Sequence, residues 1–258
     1  MNETISKFLG LPVVTSAHGR DVDHMIILVH WLMAVLFIGW IIYFIYVLFR
    51  FRKGANPKAD YQGARSHAST YVEVAVAGVE AVLLIAFAIP LWAKVVDQLP
   101  AEDKSTVVRV IAQQFGWNFL YPGKDGKFGK QEMILVTQEN PFGFAKDDPQ
   151  GNDDFTTLND MTVEVNKPVL AYISSKDVIH SFKLIAMRVT QDAIPGLRIP
   201  THFIPQQVGR YQINCAQLCG NGHAAMAQGF VNVVSAEDYS TWAAAKPTRG
   251  AGGGGTFE

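Results

Sequence analysis

Residues 211–230 read YQINCAQLCGNGHAAMAQGF and contain both cysteines of the 258-residue chain. Cys215, Cys219, His223 and Met226 follow one another at spacings of four, four and three, which would align them on one face of a helix. Gly220 and Gly222 would fall in the middle of that helix, each at a cost of about 1 kcal/mol relative to alanine. The preceding RYQIN alternates as a strand does. The stretch is therefore expected to be a strand running into a glycine-bearing loop.

Around this loop, residues 94–245 break into short strand-like runs: TVVRVIAQQF, WNFLY, EMILVTQ, MTVEVN, PVLAYISS, HSFKLIAM, GRYQIN and GFVNVVS. Turn signals such as PGKDGKFG, ENPFG and DPQGNDD separate them, which favours an antiparallel sandwich or barrel over alternating β and α. In the aromatic run QFGWNFLYP, core packing is the expectation for Phe119 and Tyr121. Residues 246–258 contain RGAGGGGTFE and read as a flexible tail. No internal repeat is evident.

Upstream, Met25 to Phe49 carries no Asp, Glu, Lys or Arg, and a helix of about 25 residues spans roughly 37 Å, enough for a bilayer. A second apolar run covers Tyr71 to Ala93. The two form a transmembrane hairpin, 25–93, around the loop 50–70, where Arg50, Arg52, Lys53, Lys58 and Arg65 stand against Asp60 alone. That excess marks the loop as cytoplasmic. The N-terminal segment 1–24 lacks a compact signal-peptide core, so it and everything after Ala93 are expected outside. The formal net charge is -1, which gives no indication of a nucleic-acid partner.

The loop can now be read with its compartment in view. Two exported cysteines most simply form a disulfide. His223 and Met226 in register, and His180 after a strand in SSKDVIHSF, favour a metal instead. Two thiolates, two imidazoles and a thioether make a soft set suited to copper, while zinc has no use for the methionine. A zinc Cys2His2 site stays open. A mononuclear blue site needs one cysteine; a second thiolate allows both sulfurs to bridge two coppers, which suits electron transfer.

The motif C-x3-C-x3-H-x2-M, the upstream DVIHSF, the stretch QDAIPG, the run QFGWNFLYP and the N-terminal hairpin together resemble subunit II of the haem-copper cytochrome c oxidases. The resemblance covers nearly the whole chain. It implies a two-helix transmembrane hairpin followed by an all-β cupredoxin-like domain, a Greek-key sandwich or barrel, in a bacterial cell membrane with the copper domain outside. It implies the binuclear CuA centre, with His180, Cys215, Cys219, His223, Met226 and the main-chain carbonyl of Gln217 as ligands. Electrons would come from cytochrome c and pass to haem in subunit I, where oxygen is reduced and protons are pumped, with the other oxidase subunits and the lipid bilayer as further partners. The copper residues exclude the quinol-oxidising relatives, and without C-x-x-C-H no cytochrome c is fused to the chain.

The chain departs from the family pattern in three places. Gln217 replaces a Glu that also reaches a magnesium ion at the subunit I boundary, and an amide is a poorer ligand for a hard cation. Phe115 stands where the family has its electron-admitting tryptophan, with Trp117 matching the next aromatic. The W-T-x-x-P pattern of the second helix is absent, and Glu80 has no family counterpart; a hydrogen bond to a partner helix is the expectation for it.

By the resemblance, Glu73, seven residues earlier, matches the acid near the entry of a proton channel into subunit I, with a packing or interfacial role as the alternative. The run AKDDPQGNDDF concentrates Asp147, Asp148, Asp153 and Asp154, either a solvated turn or a surface that steers a basic donor. With Phe115 in place of tryptophan, the expected donor is a docked or membrane-bound cytochrome meeting an apolar patch at Phe115 and Trp117. The alternatives are the CuA subunit of a nitric oxide reductase and a membrane-anchored copper-binding protein.

Overall fold

The computed structural model describes residues 2–55, 58, 61–63, 66–146 and 148–251. It divides into two units, Met1–Leu11 with Asp21–Ala93 and Pro12–Arg20 with Lys94–Glu258.

The first unit is helical: α1 (Asn2–Phe8), α2 (Gly19–Arg50) and α3 (Ala68–Val82), which continues through a π-helical turn (Leu83–Ala88) into α4 (Ile89–Val96). Helix α2 begins six residues before the apolar run expected from Met25, with Asp21 in its first turn and Arg50 in its last, both favourable to the helix dipole. Gly19–Arg50 and Ala68–Val96 are each long and apolar enough to cross a membrane. Trp31, Phe37 and Trp40 are more than half exposed, as expected of a helix whose apolar surface is left for lipid or other helices. The π-helical turn has a local cause. Pro90 lacks the N–H that would bond Ala86, and the ladder widens so that the Ile89 N–H reaches Leu84 O. Glu73 and Glu80 both lie on α3. In the connecting loop, Asp60 and Arg65 lie outside the described residues.

The second unit is built from β1 (Thr106–Gln113), β2 (Gly116–Tyr121), β3 (Phe155–Leu158), β4 (Asp160–Glu164), β5 (Val169–Ser175), β6 (His180–Leu184), β7 (Val189–Ala193), β8 (Ile199–Phe203), β9 (Gly209–Gln212), β10 (Asn214–Cys215) and β11 (Phe230–Val234), with one helix, α5 (Ala236–Ala244). The sheets run β3-β2-β1-β5-β8, β10-β6-β7 and β4-β11-β9. Alternation on β1 sends Val108, Val110 and Ala112 into the core. There they meet Trp117, Phe119, Tyr121, Phe182 and Phe203, all fully buried. Tyr121 stacks on Phe155 and its hydroxyl accepts from Thr162 N–H at 2.8 Å.

Several expectations need correction. Two of the three sheets are mixed, because β1 pairs parallel with β5 and β4 pairs parallel with β11, while β10-β6-β7 is antiparallel throughout. EMILVTQ is not a strand: Met133–Leu135 forms a 3-10 turn with Ile134 88% exposed. The Asn140 side chain donates to Leu135 O and Phe144 O and accepts from Phe144 N–H, so this backbone is satisfied by a side chain in place of a ladder. Residues 12–20 are docked on the β unit, with Thr15 N–H on Ala186 O at 2.8 Å and Ser16 Oγ on Met187 O at 2.6 Å. The start of the tail is held too: Arg249 N–H donates to Asp154 O and its guanidinium to Gly151 O and Ala145 O. Residues 252–258 lie outside the described residues.

The acidic run belongs to turn chemistry. Asp148 caps the 3-10 turn Pro149–Gly151 and accepts from Lys130 N–H. Asp153 accepts from Asp125 N–H, and buried Asp154 accepts from Gly129 N–H at 2.9 Å. Asp147 lies outside the described residues. Burial, with Asp153 adding to it, pushes the Asp154 carboxyl up to about 6 against the opposing pull of Gly129 N–H and Arg249. A carboxyl raised in the folded state stabilises the fold below its unfolded value of about 4, and that stability is lost as pH rises through the folded value. Asp154→Asn is therefore expected to raise stability on the order of 1–2 kcal/mol at pH 8, with the gain vanishing toward pH 4. Paired thermal melts of the full chain in detergent check this; a gain that grows on acidification would contradict it.

Candidate metal centre

Strand pairing brings the ligand-bearing segments together. Strand β10 pairs antiparallel with β6, Cys215 opposite Phe182, so Cys215 lies beside the start of β6, where fully buried His180 stands. The chain then turns outward: Ala216 N–H donates to Ser181 O at 3.0 Å, and His223 N–H to Gly220 O at 3.1 Å. A 3-10 turn, His223–Gln228, returns Met226 to the core. There the Trp117 indole N–H donates to Met226 O at 2.9 Å.

Gly220 and Gly222 are needed where they stand. Gly220 has φ +132°, and a Cβ there would lie 2.8 Å from Gln114 Nε2. One on Gly222 would enter the Phe115 ring.

Four side chains form a chain of short separations. Cys215 Sγ lies 4.0 Å from His180 Nδ1 and 3.9 Å from Cys219 Sγ, and Cys219 Sγ lies 3.4 Å from His223 Nδ1. The Gln217 carbonyl oxygen is 3.0 Å from Cys215 Sγ. Both cysteines are free, and their sulfurs are nearly twice the ~2.05 Å of a disulfide apart. Ligand atoms of His180, Cys215 and Cys219 all lie within 4.8 Å of one another, so one cation about 2.3 Å from each sulfur fits between them. Met226 is fully buried in the cluster that contains Cys219.

The electrostatics agree. His180 Nε2 lies 2.9 Å from Asp177 Oδ1. Burial works against charge on Asp177, but hydrogen bonds from Gln114 N–H, His180 and Val178 N–H outweigh it and hold the carboxyl below its usual value. An ionised Asp177 keeps the imidazole proton on Nε2, so Nδ1 turns its lone pair toward Cys215. Burial, then the neighbouring Cys215, pushes the Cys219 thiol up to about 11. Such a thiol would lose its proton to solvent when a cation binds the sulfur in its place.

The residues singled out from sequence thus divide. His180, Cys215, Gln217, Cys219, His223 and Met226 come together. Phe115 is half-buried, packed on Gly220 and Gly222. Trp117 is fully buried and offers no surface to a donor, which corrects its place in the expected apolar patch. Two further residues escaped the sequence reading. Asp177 orients His180, and its only signal is its place three residues earlier. Gln114 donates from its backbone N–H to Asp177 Oδ2 at 2.8 Å and from its side chain to Cys219 O at 2.6 Å, which ties β1 to both halves of the site.

Comparisons with known proteins bear on the whole chain. The sequence model of the family "Cytochrome C oxidase subunit II, periplasmic domain" matches residues 106–233. The alternative cytochrome c oxidase subunit 2 of Bradyrhizobium diazoefficiens is 31% identical over 222 residues, covering 86% of this chain and 78% of that protein. Cytochrome c oxidase subunit 2 of Cereibacter sphaeroides is 28% identical, covering 90% and 76%. Among solved structures, the periplasmic domain of subunit II of cytochrome oxidase from Bradyrhizobium japonicum is 28% identical, with a TM-score of 0.42, covering 57% of this chain and 95% of that one. Two apolar helices followed by a β domain, together with the 31% identical relative that covers 86% of the chain, show that the chain belongs to the cytochrome c oxidase subunit II family and is a membrane-anchored oxidase component.

Proposed function

We propose that this chain is the electron-accepting subunit of a respiratory haem-copper oxidase. It would take electrons from a cytochrome c and hand them to haem in subunit I of a bacterial cell membrane complex, with its β unit and N-terminus on the outer side. The observation that carries this reading is the pair of free thiols 3.9 Å apart with one imidazole against each.

Cys215, Cys219, His180 and His223 would hold two coppers as the strong ligands, with Met226 and the Gln217 carbonyl as the weak ones. A copper pair held in this way supplies one-electron transfer with little rearrangement. The chain contributes rigidity: Asp177 and Gln114 fix His180 and the Cys219 backbone, and the buried Trp117 holds Met226 and keeps water out. The Gln217 side chain is an amide, a poorer ligand for a magnesium ion than the carboxylate it replaces.

The donor side follows from the surface around the loop. Leu218 is 78% exposed, Ile179 45% and Val178 38%, and with half-buried Phe115 they make an apolar surface. Among the described residues of the acidic run, Asp148, Asp153 and Asp154 are taken up in turns. A docked or membrane-bound cytochrome, recognised by apolar contact with little electrostatic steering, fits this surface. Stopped-flow reduction of the assembled complex by cytochrome c across ionic strength tests both points. A rate that varies little with salt and falls in Phe115→Ala is expected; no reduction at all would overturn the electron-accepting role. A steep salt dependence with Phe115→Ala unaffected would restore a soluble, steered carrier.

Glu73 on α3 is proposed as the acid at the mouth of a proton path into subunit I, because carboxylates within a membrane span are costly and mark such routes. Glu73→Gln in the assembled complex should slow proton uptake and turnover together. Unchanged values would remove the proposal.

A further inference from the structure

Away from the copper loop, a cavity of about 460 Å3 lies over β1 and β5, covered by the 131–142 segment and the loop after β7. Ile111, Met133, Val136, Phe142 and Leu197 make its apolar part, and Gln131, Arg198, Lys176 and Glu132 stand on its polar side. Arg109 on β1 and Arg198 before β8 both donate to one acceptor, Gln131 Oε1, Arg198 at 3.2 Å. Flipping the amide would aim its NH2 at two cations, so its orientation is forced. Gln131 Nε2 is then buried with no acceptor, and so is Arg109 Nε.

Nearby carboxylates do not answer this. Glu102 is engaged by the Tyr172 hydroxyl, Glu132 by Lys130 at 2.7 Å and Asp154 by Gly129 N–H. Among the described residues neither guanidinium forms an ion pair. Arg109 is also stacked on the Phe128 ring, its guanidinium carbon 4.1 Å from the centroid. Burial, then the neighbouring Arg198, lowers it to about 10 against the opposing pull of Asp154 and Glu102. The two cations share a neutral acceptor with orphaned donors beside them, and among the described residues no carboxylate lies at ion-pair distance from either.

We propose that this cavity is a binding site for an organic anion, with a carboxylate or phosphate head at Gln131 and Arg198 and an apolar body along Ile111, Val136 and Phe142. A bare inorganic ion would leave most of the volume empty, whereas the size suits a small molecule with an apolar part. The head chemistry is shared by soluble organic anions and by the phosphate of an acidic lipid. The site is independent of the copper ligands and of the oxidase reading.

The test is calorimetric titration of the full chain in neutral detergent with phenyl phosphate, with short-chain phosphatidate and with benzyl alcohol as the uncharged comparison. Saturable binding of a phosphate probe, weakened at least about tenfold in Arg198→Gln, is expected. Tighter binding of the phosphatidate would identify a lipid source, and equal binding a soluble one. Gln131→Glu keeps the proposal falsifiable if Arg198→Gln misfolds, because it gives the arginines an internal carboxylate: the melting temperature should rise and the phosphate response disappear. Benzyl alcohol binding as well as phenyl phosphate, a response retained in Gln131→Glu, or no response up to about 10 mM would overturn the proposal.

Discussion

Cys215→Ser and Cys219→Ser are each expected to abolish a shared-electron copper signal and to lower cytochrome-driven turnover of the assembled complex by at least about 100-fold. Loss of a residue that merely orients a metal-bound histidine typically costs 10- to 100-fold in affinity or activity, and loss of a bridging sulfur removes more. The two variants should behave alike, because each sulfur has an imidazole against it and the other sulfur 3.9 Å away. Met226→Leu should differ from both, keeping the metal and shifting its potential, since a weak axial ligand tunes more than it binds. Copper analysis and electron paramagnetic resonance on the three variants check the series. A cysteine variant that kept a two-copper signal would contradict the ligand assignment.

Trp117→Ala is expected to destabilise the β unit by about 3–5 kcal/mol, the usual range for emptying a fully buried aromatic site. Trp117 meets Phe182 edge-on at 5.3 Å and His180 at 6.2 Å, and it donates to Met226 O. Its removal thus opens a cavity behind one ligand and frees the backbone of another. Trp117→Phe, which keeps most of the packing and loses the N–H, should cost only about 1 kcal/mol from the unmade hydrogen bond. Urea unfolding of the metal-free chain in detergent measures both. Equal losses in the two variants would show that the hydrogen bond, and not the packing, dominates.

Much of the copper loop was legible because its chemistry is local. Gly220 and Gly222 argued against a helix, and both are forced by the approach of Gln114 and Phe115. The β1 run was legible for the same kind of reason: one face is buried and the other is not, so the alternation shows. Strand β2 carries no such signal, since all six of its residues are buried, and nothing in WNFLY separates a core tryptophan from a surface one. Strands β3, β7 and β8 were missed; each ends its sheet order, and edge strands tolerate polar residues and proline, as Pro200 on β8 shows. Parallel pairing of β1 with β5 depends on contacts more than fifty residues apart, for which the local pattern has no marker. Asp177 and Gln114 look like ordinary loop residues until strand pairing sets them beside His180 and Cys219.

Cys215 and Cys219 are expected to hold two coppers in one electronic unit. Metal analysis of the purified full chain, joined to electron paramagnetic resonance of the same sample, tests it most directly. Two coppers per chain with one unpaired electron shared equally between them is the expected result. One copper per chain, or a signal localised on a single copper, would contradict the claim.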